Sequence, residues 1–403
     1  MIQNYSGISP KADLILLQTL AHKLRGKTFL HINSTKAGGG VAEILQRMTP
    51  ILQDLEIDTR WEVILGDERF FEMTKKVHNA LQGNEEDISS EMWDHYLAIN
   101  RQNREHLDLD ADCVFIHDPQ PAPLCEFRER GTWVFRCHID VSNPVKPVYD
   151  HLARYCEQYD GIIFSVARFS RAMSVDEFIV PPSIDPLSDK NRELSQEEIT
   201  EVVERLQIPL DRPIILQVSR FDRFKDPIGV IKAFRMVKKY HDCLLILAGS
   251  PATDDPEGKE VLDEVTAFAA DDQDIRILLL PPFSDKDINA LQRVAAVVLQ
   301  KSLKEGFGLT VSEAMWKGKP VIGGAVGGIP LQIIHGVTGF LVHSREGAAF
   351  RIRQLLSNPE MAAAMGKRGK EFVRTNFLIT RETRDYLSIW YALENRDGSI
   401  LLL

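Results

Sequence analysis

The 403-residue chain has no apolar run of the ~18 residues that mark a membrane-spanning helix. It also lacks an excess of positive charge. Its 48 Lys and Arg against 58 Asp and Glu give a formal net charge of −10, which disfavours a broad nucleic-acid-binding face. Cysteine is scarce: Cys113, Cys125, Cys137, Cys156 and Cys243 form no C-x-x-C pair, so neither a zinc nor a disulfide framework is expected. Cys113, Cys137 and Cys243 lie in or beside apolar runs and read as buried thiols, a usage that suits a reducing cytoplasm. The opening MIQNYSGISPKADLILL lacks a basic start, an apolar block and a small-residue cleavage site, so no secretory signal is expected. Low-complexity tracts and short internal repeats are absent too. What is there is ordinary globular composition, 44% apolar and 26% charged. At ~150 residues per domain, that length predicts two or three domains.

Short apolar runs alternate with longer amphipathic stretches. The first half offers strands at Thr28–Asn33, Asp58–Leu65, Cys113–His117, Trp133–Ile139, Gly161–Ser165 and Glu177–Val180. The second offers Pro213–Val218, Cys243–Ala248, Ile275–Leu280, Ala296–Leu299, Pro320–Ile322 and Gly339–Val342. Most of these runs are continuous rather than alternating, as in strands buried on both faces, and helices fall between them. The pattern predicts α/β architecture: two Rossmann-like, doubly wound parallel-sheet domains. Predicted helices include Val41–Gln53, Pro227–Tyr240 with Asp226 as its N-cap, Ser312–Lys317 ended by Gly318, and Thr380–Glu394. Prolines 181, 182 and 186 stiffen a connection that reads as the boundary. The expected division is 1–186, 187–379, and a C-terminal helix, 380–403, that packs back on the first domain. Ligands of open α/β sheets bind beyond the carboxyl ends of the strands, here in a cleft between the two facing sheets.

Four motifs stand at such positions. Lys36-Ala37-Gly38-Gly39-Gly40 follows the first strand, where glycines permit close backbone approach and a helix start offers unpaired N–H groups. It is neither G-x-G-x-x-G nor a Walker P-loop. Arg220 and Lys225 flank a loop and could both reach one diphosphate, the first as a planar fork and the second as a point charge. The competing reading is a pair of solvated surface charges. Glu305 and Glu313 bracket the turn Gly306-Phe307-Gly308-Leu309, whose amides could hold sugar hydroxyls or phosphate oxygens. Thr310-x-x-Glu313 also reads as a capping box, a structural explanation for Glu313. Finally, Asp118 in HDPQP could accept from a sugar hydroxyl, and His138 in RCHID could donate to an oxygen. A lone strand-end histidine is more often structural. A His–Asp metal site lacks a third ligand, and no G-x-S-x-G elbow supports a Ser–His–Asp triad.

Together these motifs resemble the retaining glycosyltransferases of family 4, which have the GT-B fold. The Glu-x7-Glu segment is Glu305 to Glu313, and the Arg-x4-Lys pair is Arg220 and Lys225. More narrowly, HNALQGNE at 78–85, HDPQP at 117–121, RCHID at 136–140, PPSIDPLS at 181–188 and EGFGLTVSEAMWKGKPVIG at 305–323 resemble the trehalose glycosyltransferring synthases. The resemblance implies a nucleoside diphosphate glucose donor and a glucose acceptor, giving trehalose with retention and reversibly. It places Arg220 and Lys225 on the diphosphate, Glu305 on hydroxyls of the transferred glucose and Glu313 on the ribose. Gly306, Phe307, Gly308 and Leu309 would contact the glucose or phosphate. His138 would face the donor sugar and Asp118 would orient the acceptor. Gly38, Gly39 and Gly40 would line the cleft near phosphates and acceptor, and Asn79 and Gln82 would shape the acceptor pocket. Gly324 stands where the pattern has a basic residue. No obligatory cofactor or metal is expected, with Mg²⁺ a candidate stimulant at the diphosphate. Neither a nucleic-acid nor a membrane partner is expected, and a homodimer is a candidate assembly. A retaining trehalose phosphorylase using inorganic phosphate shares much of the motif set. A silent sugar- or nucleotide-binding regulator and an NAD-dependent dehydrogenase fit less well, the latter for want of G-x-G-x-x-G.

Overall fold

The computed structural model describes residues 1–36, 39–171, 173–249, 256–281 and 283–396. They form two compact units: residues 1–183 with the helix from Ile379 onward, and Ile184–Leu378.

The first unit is built on β1 (Thr28–Asn33), β2 (Asp58–Val63), β3 (Cys113–His117), β4 (Thr132–Cys137), β5 (Gly161–Phe164) and β6 (Asp176–Ile179), ordered β2-β1-β3-β4-β5-β6. The second has β7 (Ile214–Val218), β8 (Leu244–Gly249), β9 (Ile275–Leu279), β10 (Val297–Gln300), β11 (Val321–Gly324) and β12 (Phe340–Val342), ordered β12-β11-β10-β7-β8-β9. All pairings are parallel. Each expected strand is present, with ends within two residues of the predicted ones. The central strands are buried along their whole length, β3, β7 and β8 without exception, which is why their sequences do not alternate.

Each chain path reverses once. In the first sheet it steps outward from β1 to β2 and returns on the other side at β3. In the second it runs β7, β8, β9 and returns at β10. The crevices at β1/β3 and β7/β10 are therefore topological switch points, where loops diverge and leave room for a ligand.

The helix Ile379–Glu394 belongs to the first unit. Trp390 lies on Phe29 with ring centroids 5.1 Å apart, and Tyr386 on Phe115 at 5.0 Å. Leu387 and Trp390 are fully buried there, as their helical spacing requires.

The helix predicted to start at Ser312 starts at Leu309. Gly308 serves as its N-cap at φ +82°, a left-handed conformation that glycine tolerates. The expected Thr310–Glu313 capping box does not form, because the N-cap lies at Gly308, two residues before Thr310. Thr310 Oγ1 donates instead to Gln300 Oε1 at 3.1 Å.

Candidate active site

At the β7/β10 switch point, β7 leads into residues 219–226 and β10 into residues 301–308. Asp222 caps a short turn by accepting from the Lys225 N–H at 3.1 Å, and Gln217 Nε2 holds the Lys225 carbonyl at 2.8 Å. Lys225 is thereby aimed at the second loop, where its Nζ lies 2.6 Å from Glu305 Oε2. Ser302 Oγ and Gln300 Nε2 donate to the same carboxylate oxygen at 3.0 and 3.2 Å. Burial raises the Glu305 pKa, but Lys225, Ser302 and Gln300 outweigh it and hold the carboxyl below its ordinary range. Lys301 is ion-paired with Asp226, whose carboxylate also accepts from the Gly229 N–H at 3.1 Å.

Arg220 differs from Lys225. Its side chain is 64% exposed and meets Asp222 at 3.4 Å, whereas that of Lys225 is 16% exposed. An exposed pair of that kind contributes about 0–1 kcal/mol, so little holds the guanidinium back from an incoming anion. The surface-charge reading thus describes Arg220 without ligand, but not Lys225.

The N–H groups of Gly306, Phe307, Gly308 and Leu309 have no acceptor among the described residues. They form the open start of the helix Leu309–Trp316, the standard environment for an anion. Glycines after β11 shape this loop from behind. A Cβ on Gly327 would lie 1.6 Å from the Glu305 carbonyl, and one on Gly328 would lie 2.7 Å from that of Gly306. Gly324 is similarly constrained, since a Cβ there would lie 2.5 Å from the Ser302 carbonyl. A basic side chain at 324 would have to displace that backbone.

Glu313 is on the same helix but only 2% exposed. Gln292 Nε2 reaches its carboxylate at 3.4 Å, and Lys190 Nζ lies at 3.9 Å. Lys317, one turn on, is buried and donates to Asn191 Oδ1 at 2.8 Å and to the Glu313 carbonyl at 3.2 Å. Burial drives its pKa down to about 7, against the pull of Glu313. The unfolded chain keeps an ordinary lysine near 10.5, so unfolding takes up a proton between these values. Stability should therefore rise with pH across that window, by up to about 1.4 kcal/mol per pH unit. Lys317→Met is expected to flatten this slope, measured by urea unfolding at about pH 7.5 and 9.5. An unaltered slope would mean that Lys317 folds fully charged.

In the first unit, residues after β1, β3 and β4 gather at the β1/β3 switch point. His138 is not a lone histidine. His31 on β1, His117 at the end of β3 and His138 after β4 form a row: His31 Nδ1 to His117 Nε2 is 3.1 Å, and His117 Nδ1 to His138 Nε2 is 3.1 Å. Burial lowers all three pKa values, that of His31 to about 3, and the row stays uncharged. Asp118 adopts φ +65°, an unusual backbone for a non-glycine residue. Its Oδ1 accepts from the His138 N–H at 2.8 Å. Burial pushes the Asp118 pKa up to about 6, only partly opposed by that bond and by Arg136. The group is an acceptor at neutral pH and a donor in acid.

Gly39 takes φ +81° at the start of the helix Gly40–Asp54, and Gly38 lies outside the described residues. Asn79 donates to Glu86 Oε1 at 2.9 Å, and Gln82 closes the helix Glu68–Leu81. Among the described residues, Asn79 is not hydrogen-bonded to the histidine row.

Sequence reasoning missed His31, His117 as a site residue, and Arg136. The available signal was a polar residue inside an otherwise apolar, fully buried strand. Arg136 has no exposed surface. It donates to Tyr386 Oη at 3.1 Å and to the Val180 carbonyl at 2.8 Å, and it faces Glu382 at 3.9 Å. Among the described residues, no cluster of three or more His, Cys, Asp or Glu could hold a metal ion. Four of the six imidazole nitrogens are spent on one another.

Two six-stranded parallel sheets, each with polar loop side chains at its switch point, have the architecture of the GT-B glycosyltransferases. Residues 31–171 match the family "Trehalose synthase, N-terminal domain", and residues 198–372 match "Glycosyl transferases group 1". The trehalose synthase of Pyrococcus horikoshii is 46% identical over 97% of this chain and 96% of its own. The chain belongs to the trehalose synthase family. A trehalose phosphorylase of Pleurotus pulmonarius is 30% identical, covering 80% of this chain and 51% of its own length. In fold, the chain is similar to α,α-trehalose 6-phosphate synthase from Burkholderia multivorans, with a TM-score of 0.75, 15% identity, and coverage of 92% of this chain and all of that one. No helix among the described residues is long and apolar enough to cross a membrane.

Proposed function

We propose that the protein transfers glucose from a nucleoside diphosphate glucose to the anomeric hydroxyl of free glucose, reversibly, forming trehalose with retention at the donor carbon. The observation that carries this reading is the Lys225–Glu305 contact of 2.6 Å beside four unpaired amides. It sets a cation, an anion and an oxyanion-binding backbone at one crevice, as a leaving phosphate and a hydroxylated sugar require. Arg220 and Lys225 bind the diphosphate, and the amides of Gly306–Leu309 bind its oxygens or the glucose. Glu305 holds glucose hydroxyls, and Glu313 the ribose. In the first unit, His138 serves the donor sugar and Asp118 the acceptor. Gly38–Gly40 offer backbone to the phosphates and acceptor, and Asn79 and Gln82 shape the acceptor pocket. The bond from the donor anomeric carbon to phosphate oxygen breaks and a bond to the acceptor oxygen forms on the same face. The acceptor proton passes to the departing phosphate. Fixed cations and amides stabilise the charge developing there without reorganisation.

The relation to trehalose phosphorylases supports a second reading, in which inorganic phosphate replaces the nucleotide. The test is a panel of UDP-, ADP- and GDP-glucose with free glucose, read by disaccharide formation and anomeric NMR, beside trehalose incubated with phosphate alone. An α,α-linked product from a nucleotide donor, without glucose release by phosphate, is expected. Release by phosphate alone would replace the synthase by a phosphorylase. A trapped glucosyl–protein adduct would replace same-face attack by a covalent route.

A further inference from the structure

The histidine row has two possible polarities, and its buried end selects between them. A neutral imidazole has one N–H and one bare lone pair. With His117 neutral, two hydrogen bonds in series must run the same way. Either His31 Nδ1–H donates to His117 and His117 Nδ1–H donates to His138, or both bonds reverse. The first arrangement leaves His31 Nε2 bare and puts a proton on His138 Nδ1. The reverse puts the proton on His31 Nε2 and leaves His138 Nδ1 bare.

The two end atoms are not equivalent. His31 Nε2 is sealed from solvent and has no hydrogen-bond partner. An orphaned buried N–H is rarer in folded proteins than an under-satisfied acceptor. The opposite end is open: His138 is half-buried, and its Nδ1 has no partner among the described residues. The Asp118 carboxylate cannot reset the ring, because its bond is to the His138 backbone N–H.

We propose that His31 and His117 are positioning residues that fix His138 in the Nδ1–H tautomer, making it an obligatory hydrogen-bond donor toward an oxygen of the bound sugar. This rests on the proposed role of His138 as a sugar contact. It adds the direction of the bond and the two residues that set it. The device discriminates chemically. A sugar hydroxyl or ring oxygen can accept from His138 Nδ1–H, whereas a group able only to donate leaves a desolvated N–H unpaired.

The tautomer is read in the ligand-free protein by long-range ¹H–¹⁵N correlation on ¹⁵N-histidine-labelled enzyme, with His138 assigned by the loss of its signals in His138→Gln. The expected result is a protonated Nδ1 and a bare Nε2 at His138. The reverse pattern would overturn the proposal whatever the enzyme makes, because the measurement needs no substrate. His31→Ala removes the donor at the far end and leaves beside His117 Nε2 a space that a water fills; water accepts from an N–H there as readily as it donates, so His138 should shift in part to the Nε2–H form. The substitution should also lower kcat/KM for the donor about tenfold, the scale of one hydrogen bond. His31→Asn places an amide nitrogen near the lost Nδ1 and should restore both the His138 spectrum and kcat/KM. A His138 spectrum unchanged in His31→Ala would show that the row does not set the tautomer. Should His31→Ala fail to fold, the wild-type and His31→Asn spectra still decide the matter. Failure to make trehalose alongside the expected tautomer would count against the proposed function and not against the row.

Discussion

Arg220→Ala and Lys225→Ala are each expected to cut turnover by ~10²–10³, the usual cost of removing one preorganised donor from a developing oxyanion. A charge pair at ~4 Å and an effective dielectric of ~20 supplies about 4 kcal/mol of Coulomb energy before desolvation, enough for a loss of that size. The two variants should differ in their effect on folding. Arg220 is 64% exposed and loosely paired, so its removal should leave the melting temperature within a degree or so of wild type while turnover collapses. Lys225 neutralises a buried carboxylate, so its removal should also destabilise the fold and let the Glu305 pKa rise under burial. Steady-state turnover with the best donor of the panel, beside thermal unfolding of each variant, checks both statements. Near-normal turnover in either variant would remove the diphosphate from the β7/β10 crevice.

The second large effect is on stability. Arg136→Ala is expected to destabilise the first unit by about 3–5 kcal/mol, the cost of breaking a buried charge pair from one side. Arg136 is fully buried on β4 and bonded to Tyr386 and Val180, with Glu382 opposite at 3.9 Å. Its removal leaves Glu382 with Ser183 as hydrogen-bond partner and with the charge of Arg381 nearby. Burial already raises the Glu382 pKa, so protonation limits the loss, and the deficit should shrink in acid. Arg136→Met combined with Glu382→Gln should recover much of the stability, because replacing both members removes the uncompensated charge. Urea unfolding midpoints of the three proteins decide it. A loss below about 1 kcal/mol in Arg136→Ala would show that Glu382 is neutral in the folded protein.

The fold was largely legible in the residues. Continuous runs such as IILQV and LLILAG can only be strands buried on both faces, and amphipathic stretches between them force helical crossovers. The glycine-rich turn at 306–308 was legible for the same local reason: left-handed backbone at Gly308 and unpaired amides follow from the residues themselves. The helix start there was misplaced by three residues, because the Thr310 hydroxyl found Gln300, ten positions back and on a neighbouring strand, in place of its own backbone. Tertiary context overrode a local capping signal. His138 and Asp118 were legible as candidates but not as parts of a constellation. His31 sits 86 residues from His117, and nothing local joins them.

The sequence by itself therefore determined the elements, their parallel class, the switch from strand to glycine turn to helix, and the residue types at strand ends. These depend on backbone preference and burial over a few neighbouring positions. Only the tertiary structure decided the strand order, and with it the two crevices. It brought Lys225 to Glu305 across 80 residues, aligned the imidazoles of two strands and of the loop after β4, and buried Arg136 against a helix 250 residues away. Such contacts arise from how crossovers stack strands, a global choice among packings that no local pattern encodes.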